Sequence, residues 1–98
     1  MEGHALISHE VLARYAGDAA CEVDGVRRLG ESPVPGRRGI RVAEADGRVT
    51  IELHVVLAWG ASIPAVGAAV QRRVSDYLAQ MADVRPASVD VVVEGMAT

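Results

Sequence analysis

The sequence has no phenylalanine, no lysine, one cysteine and no apolar run near the length of a membrane span. With Tyr15, Tyr77 and Trp59 as the only aromatic residues, the core must be built from Val, Ile, Leu and Ala, which pack between closely spaced elements. Cys21 alone cannot form an intramolecular disulfide or a cysteine-based metal cluster within one chain, and a reducing cytoplasm is the expected setting. The longest apolar run, Val55 to Trp59, is far short of the roughly 20 residues that span a bilayer. The start Met1-Glu2-Gly3-His4 has neither a basic nor an apolar leader region, so direct membrane insertion is not expected. A net charge of −3 lacks the basic surplus of a protein that grips phosphate backbones, which disfavours nucleic acid as a partner.

What is present is a chain of 98 residues, half of them apolar, enough for one domain over residues 1–98. Val11, Leu12, Tyr15, Ala16, Ala19 and Val23 recur at helical spacing and predict a helix from about His9 to Cys21. Ser8 is placed to cap it, Glu10 complements its dipole, and Asp24-Gly25 ends it. From Arg27 to Arg38, punctuation by Gly30, Pro33, Pro35 and Gly36 reads as a loop.

Ile40 to Val42 and Val49 to Leu57 then alternate around Asp46-Gly47, the pair favoured in two-residue hairpin turns. Centring the turn there sets Val42 opposite Ile51, Ile40 opposite Leu53 and Arg41 opposite Glu52, with the apolar residues on one face. The Arg41/Glu52 pair on the other face is worth about 0.2–1 kcal/mol. Pro64 opens a second helix that runs to about Ala82, with a stripe of Val66, Val70, Val74, Tyr77, Leu78 and Met81 and a wet side of Gln71, Arg72, Ser75 and Asp76. Gly67 either weakens that helix by about 1 kcal/mol or permits close packing. After Pro86, Val89, Val91 and Val93 alternate in a last strand.

The order is α-β-β-α-β. A right-handed strand-helix-strand crossover returns the last strand parallel to Val49–Leu57. The predicted fold is α+β, a two-layer arrangement in which a three-stranded mixed sheet carries two helices on one face.

The segment Leu6-Ile7-Ser8-His9-Glu10-Val11, continuing through Ala16-Gly17-Asp18-Ala19-Ala20 to Val26, resembles the opening of the alkaline-shock (Gls-type) proteins. Gly47 to Val56, Trp59-Gly60-Ala61-Ser62-Ile63-Pro64 and Val70-Gln71-Arg72-Arg73-Val74 are similar to that family's strand, turn and glutamine-containing helix, and Val89 to Gly95 resembles its terminal strand. His9 and Asp24 stand where the family often has proline. The resemblance implies a non-enzymatic bacterial envelope stress response protein. It would be cytoplasmic and held at the membrane through a membrane-anchored partner.

No residue set carries recognisable chemistry. His4, His9 and His54 lack the spacing of metal ligands, and Ser8, His9 and Glu10, adjacent on a helix, cannot align as a triad. Cys21 sits near Glu22 and Asp24, whose charges disfavour a reactive thiolate. No cofactor or catalytic residue is expected. A basic clamp of Arg27-Arg28 and Arg37-Arg38 is diluted by Glu22, Asp24 and Glu31.

A sheet covered on one side leaves its outer face open. Val56, Ala58 and Val92 are expected there as apolar contacts, with His54 exposed beside Thr50 and Glu52. Trp59 is expected to plug the end of the core, with an exposed binding anchor as the other reading. The expected partner is a second copy of the chain, docking through this face or an edge strand. The element order also matches a KH-like RNA-binding module, but Gly60-Ala61-Ser62-Ile63 lacks the second glycine and the charge of that module's backbone-clamping loop.

Overall fold

Asp46 and Gly47 both adopt positive φ, 54° and 75°, the geometry of the type I′ turn that matches the twist of a hairpin. The computed structural model describes residues 8–31 and 39–98. Its elements run α1 (His9–Cys21), β1 (Val26–Leu29), β2 (Ile40–Ala45), β3 (Arg48–Ala58), α2 (Ile63–Ala82) and β4 (Ser88–Ala97). The Asp46-Gly47 turn joins β2 to β3, and the pairs Ile40/Leu53, Arg41/Glu52 and Val42/Ile51 stand in the predicted register.

Both helices start where their caps are. The Ser8 hydroxyl accepts from the Val11 N–H at 3.1 Å at the head of α1. At the head of α2, Ser62 accepts from the Ala65 N–H and Pro64 occupies the first turn. β4 runs parallel to β3, as the crossover rule requires.

One segment differs from the expectation. Arg27–Leu29, predicted as the start of a loop, belong with Val26 to the strand β1, antiparallel to β3 with Val26 opposite Leu57 and Leu29 opposite Val55. The sheet therefore has four strands rather than three. β1 and β2 follow one another along the same edge of β3, because β3 pairs with β2 through residues 48–53 and with β1 through 55–57. At their junction the Gly30 N–H donates to the His54 carbonyl and the His54 N–H donates to the Gly39 carbonyl, each at 2.6 Å.

Both helices cover one face. Ile51, Leu53, Val55 and Leu57 of β3 meet Leu12, Ala16, Ala19 and Ala20 of α1 and Val66, Val70, Val74 and Leu78 of α2 in one core. Each fully buried Val, Leu or Ile contributes about 1.5–3 kcal/mol by leaving water. In place of a Phe, Tyr15 and Tyr77 link the helices edge to face, with centroids 5.9 Å apart. Gln71, exposed on the wet side of α2 as expected, also donates its Nε2 to the Val89 carbonyl at 2.9 Å and ties α2 to β4. Arg73 pairs with Glu22 at 2.6 Å across the helix pair.

Candidate interaction surface

Alternation along β3 places Thr50, Glu52, His54, Val56 and Ala58 on the face away from the helices. In register beside them stand Asp90, Val92, Gly95 and Ala97 of β4, Arg41 of β2 and Arg28 of β1. Toward the hairpin this face is charged, with Arg41 and Asp90 on either side of Glu52. Toward the far end of β3 the β3 and β4 residues are small and apolar, Val56, Ala58, Gly95 and Ala97, with exposed Arg28 of β1 beside Val56.

His54 marks the boundary. Its Nδ1 lies 2.8 Å from Glu94 Oε2 and its Nε2 lies 2.8 Å from Glu52 Oε2. A ring nitrogen donates only when it carries a proton, so the two contacts together select the imidazolium. The Glu52 bond, then the Glu94 bond, hold the His54 pKa above its ordinary 6.5, against a smaller opposing effect of burial. The same His54 bond holds the Glu52 carboxyl below its ordinary value, opposed by partial desolvation and assisted by Arg41.

Glu94 reaches the ring at an irregularity in β4. Val55 pairs with Val93 and Val56 with Gly95, which leaves Glu94 as an extra residue. Its second oxygen accepts from the Glu31 N–H at 3.3 Å, fastening β4 across β3 to the residues after β1. Glycine is required where the chains converge: a Cβ on Gly39 would lie 2.8 Å from His54 Cβ and 2.9 Å from the Gly30 carbonyl oxygen, and one on Gly30 would collide with the Glu94 carboxylate. The carboxylates engage opposite sides of the ring and cannot converge with it on one cation. Among the described residues no cluster of His, Cys, Asp and Glu is arranged to hold a metal ion.

Of the residues expected on this surface, His54, Ala58 and Val92 are there, Val92 being 41% exposed. Val56 is on the outer face but only 6% exposed, because β1, read from sequence as loop from Arg27 on, occupies the edge beside it. Trp59 does not plug the core. It is 73% exposed, because β3 ends at Ala58 and Gly60, at φ +89°, turns the chain toward the Ser62 cap. Val66 and Ala61, packed around Gly25, lie at this end of the fold instead. Ile63, 47% exposed, follows Trp59 at the start of α2. The sequence reading missed the clamp on His54, whose only signal was the parallel register that brings Glu94 near.

The other candidates are not gathered into a site. Arg27 Nη2 donates to the Thr98 carbonyl at 3.0 Å and Arg28 Nη1 donates to the Leu29 carbonyl at 3.4 Å, while Arg37, Arg38 and His4 lie outside the described residues. His9 lies 3.5 Å from Glu44. Cys21, at the end of α1, is exposed.

The sequence model of the alkaline-shock protein 23 family, described as having a cell envelope-related function, matches residues 1–98. The uncharacterized protein YqhY of Bacillus subtilis is 31% identical, over 96% of this chain and 77% of its own. The uncharacterized protein Spy1535 of Streptococcus pyogenes is 30% identical, over 96% and 79%. Among solved structures, a MamM-CTD variant superposes with a TM-score of 0.60 at 16% identity, covering 90% of this chain and 98% of its own. The manganese form of another variant gives 0.59 at 14%, covering 90% and 99%. At such identities the likeness is one of fold.

Proposed function

Since the chain belongs to the alkaline-shock protein 23 family, whose function is cell envelope-related, we propose that it is a non-catalytic interaction module that associates with itself and docks at the envelope through a membrane-anchored partner. The observation that carries this reading is the apolar half of the uncovered sheet face, running from Val92 through Gly95, Ala97 and Ala58 and ending beside the exposed Trp59. An added Cβ at Gly95 meets nothing within 4 Å, so the strip is low and open to a flat partner surface. β4 also pairs with β3 alone among the described residues, and its other edge offers backbone groups to a second copy.

Binding rather than catalysis is supported by the polar cluster at the centre of this face, in which both nitrogens of His54 are already engaged by carboxylates. No helix among the described residues is long and apolar enough to cross a membrane, so attachment to the envelope is assigned to a partner that does cross. Envelope stress is the setting that the family resemblance implies.

Sedimentation velocity over a range of concentrations tests the self-association. The wild-type chain should form dimers or larger species, and Val92→Arg, which places a charge in the strip, should shift the midpoint at least about tenfold upward. A chain that stays monomeric at the highest concentration would count against the reading.

A further inference from the structure

The His54 cluster sits within the strip rather than apart from it. Val92 stands opposite His54 in the β3–β4 register, and Gly95 follows Glu94 directly after the irregularity in β4. A second copy that covers Val92 and Gly95 therefore also covers the imidazole and the Glu94 carboxylate between them. In the isolated chain the side chains of His54, Glu52 and Glu94 are 27%, 41% and 34% exposed, so covering them strips water from charged groups.

The charges that face His54 come from every strand of the sheet. Glu52 shares β3, Arg41 lies across from Glu52 on β2, Asp90 and Glu94 stand on β4, and Arg28 of β1 is opposite Val56. Glu31, after β1, reaches the cluster through its backbone N–H, which donates to Glu94. The helices lie on the other face and contribute none. On the outer face Glu52, Asp90 and Glu94 are matched one for one by Arg28, Arg41 and a protonated His54, whereas a neutral His54 leaves one carboxylate in excess. Geometry sharpens the effect. A neutral imidazole carries a single N–H, so whichever nitrogen keeps it, a ring lone pair faces the carboxylate 2.8 Å away on the other side.

We propose that the proton on His54 gates self-association: the protonated ring holds both carboxylates and lets a second copy seat on the strip, and its loss leaves an unpaired carboxylate in the contact on each copy. The gate, which rests on the reading that the chain associates through this face, works in one direction. Covering the cluster favours its closed, protonated form, so association takes up protons and strengthens as pH falls. The bonds to Glu52 and Glu94 raise the His54 pKa, which puts the change on the alkaline side of 6.5.

Sedimentation velocity under reducing conditions, at about pH 6 and about pH 9, tests the gate on the wild-type chain, Glu94→Gln and His54→Gln. The wild-type association midpoint should rise at least about tenfold at the higher pH. Glu94→Gln should cut that rise to under about threefold, because the amide oxygen can accept from the Glu31 N–H while the amide nitrogen donates to Nδ1 of the neutral ring. His54→Gln, which leaves both carboxylates charged without a cation between them, should associate at either pH no more tightly than the wild type does at the higher one. A wild-type midpoint that does not move with pH would overturn the gate and leave self-association standing, whereas a chain monomeric at both pH values would overturn both. A full rise retained in Glu94→Gln would also overturn it, since His9 and Cys21 titrate in every variant and would then account for the effect. So would a His54→Gln chain that associates at the lower pH as tightly as the wild type.

Discussion

At His54 a single ring is held by two carboxylates, and only its protonated form satisfies both. Its folded pKa is raised, so the stabilisation it supplies is complete below the ordinary 6.5 and fades as pH rises through the folded value. Glu52 runs the other way: its folded pKa is lowered, and its share is present above the ordinary 4.5 and lost as pH falls through the folded value. The clamp is therefore whole between pH 4.5 and 6.5. His54→Gln should cost about 0.5–1 kcal/mol in that window, in keeping with partly exposed ion pairs, and progressively less in more alkaline solution. Thermal unfolding of both proteins from about pH 5 to about pH 9 checks this; a deficit that grows with pH contradicts it.

Among the elements, two glycines should respond in opposite directions. Gly67 lies inside α2, where an added Cβ meets nothing within 4 Å, so its role is not close packing. Gly67→Ala should stabilise the protein by about 0.5–1 kcal/mol, seen as a higher urea midpoint with an unchanged slope. Gly39→Ala should destabilise by about 1–3 kcal/mol in the same titration, because its Cβ meets backbone at the β1–β2 junction, where nothing can yield cheaply.

The same elements show what local sequence carries. The hairpin register was legible because Asp46-Gly47 fixes the turn and alternation admits one pairing. Both helix starts were legible from local signals, the Ser8 cap of α1 and Pro64 in the first turn of α2, while the Ser62 cap of α2 emerged only in the structure. β1 was not legible, since Val26–Leu29 has Arg27 and Arg28 at its centre and is defined by pairing with β3 far along the chain. The burial of Val56 was missed for the same reason. The exposure of Trp59 depends on the direction the chain takes after Ala58, which no local pattern records.

For the whole molecule, placing both helices on one side of the sheet leaves an outer face that is charged near the hairpin and, on β3 and β4, apolar near the end of β3. The family match gives this architecture an envelope-related setting. The proposed self-association puts its contact strip beside Trp59, the chain's single tryptophan, which is 73% exposed in the isolated chain. Tryptophan emission is therefore an internal reporter of the proposed interface.

The most direct measurement is that emission, with acrylamide quenching, as the protein is concentrated from about 1 to about 500 μM. Association through the strip predicts a blue shift and reduced quenching as concentration rises, with a midpoint matching sedimentation and displaced upward in Val92→Arg. Emission that stays solvent-exposed and freely quenched across a range in which sedimentation shows association would contradict the placement of the interface beside Trp59.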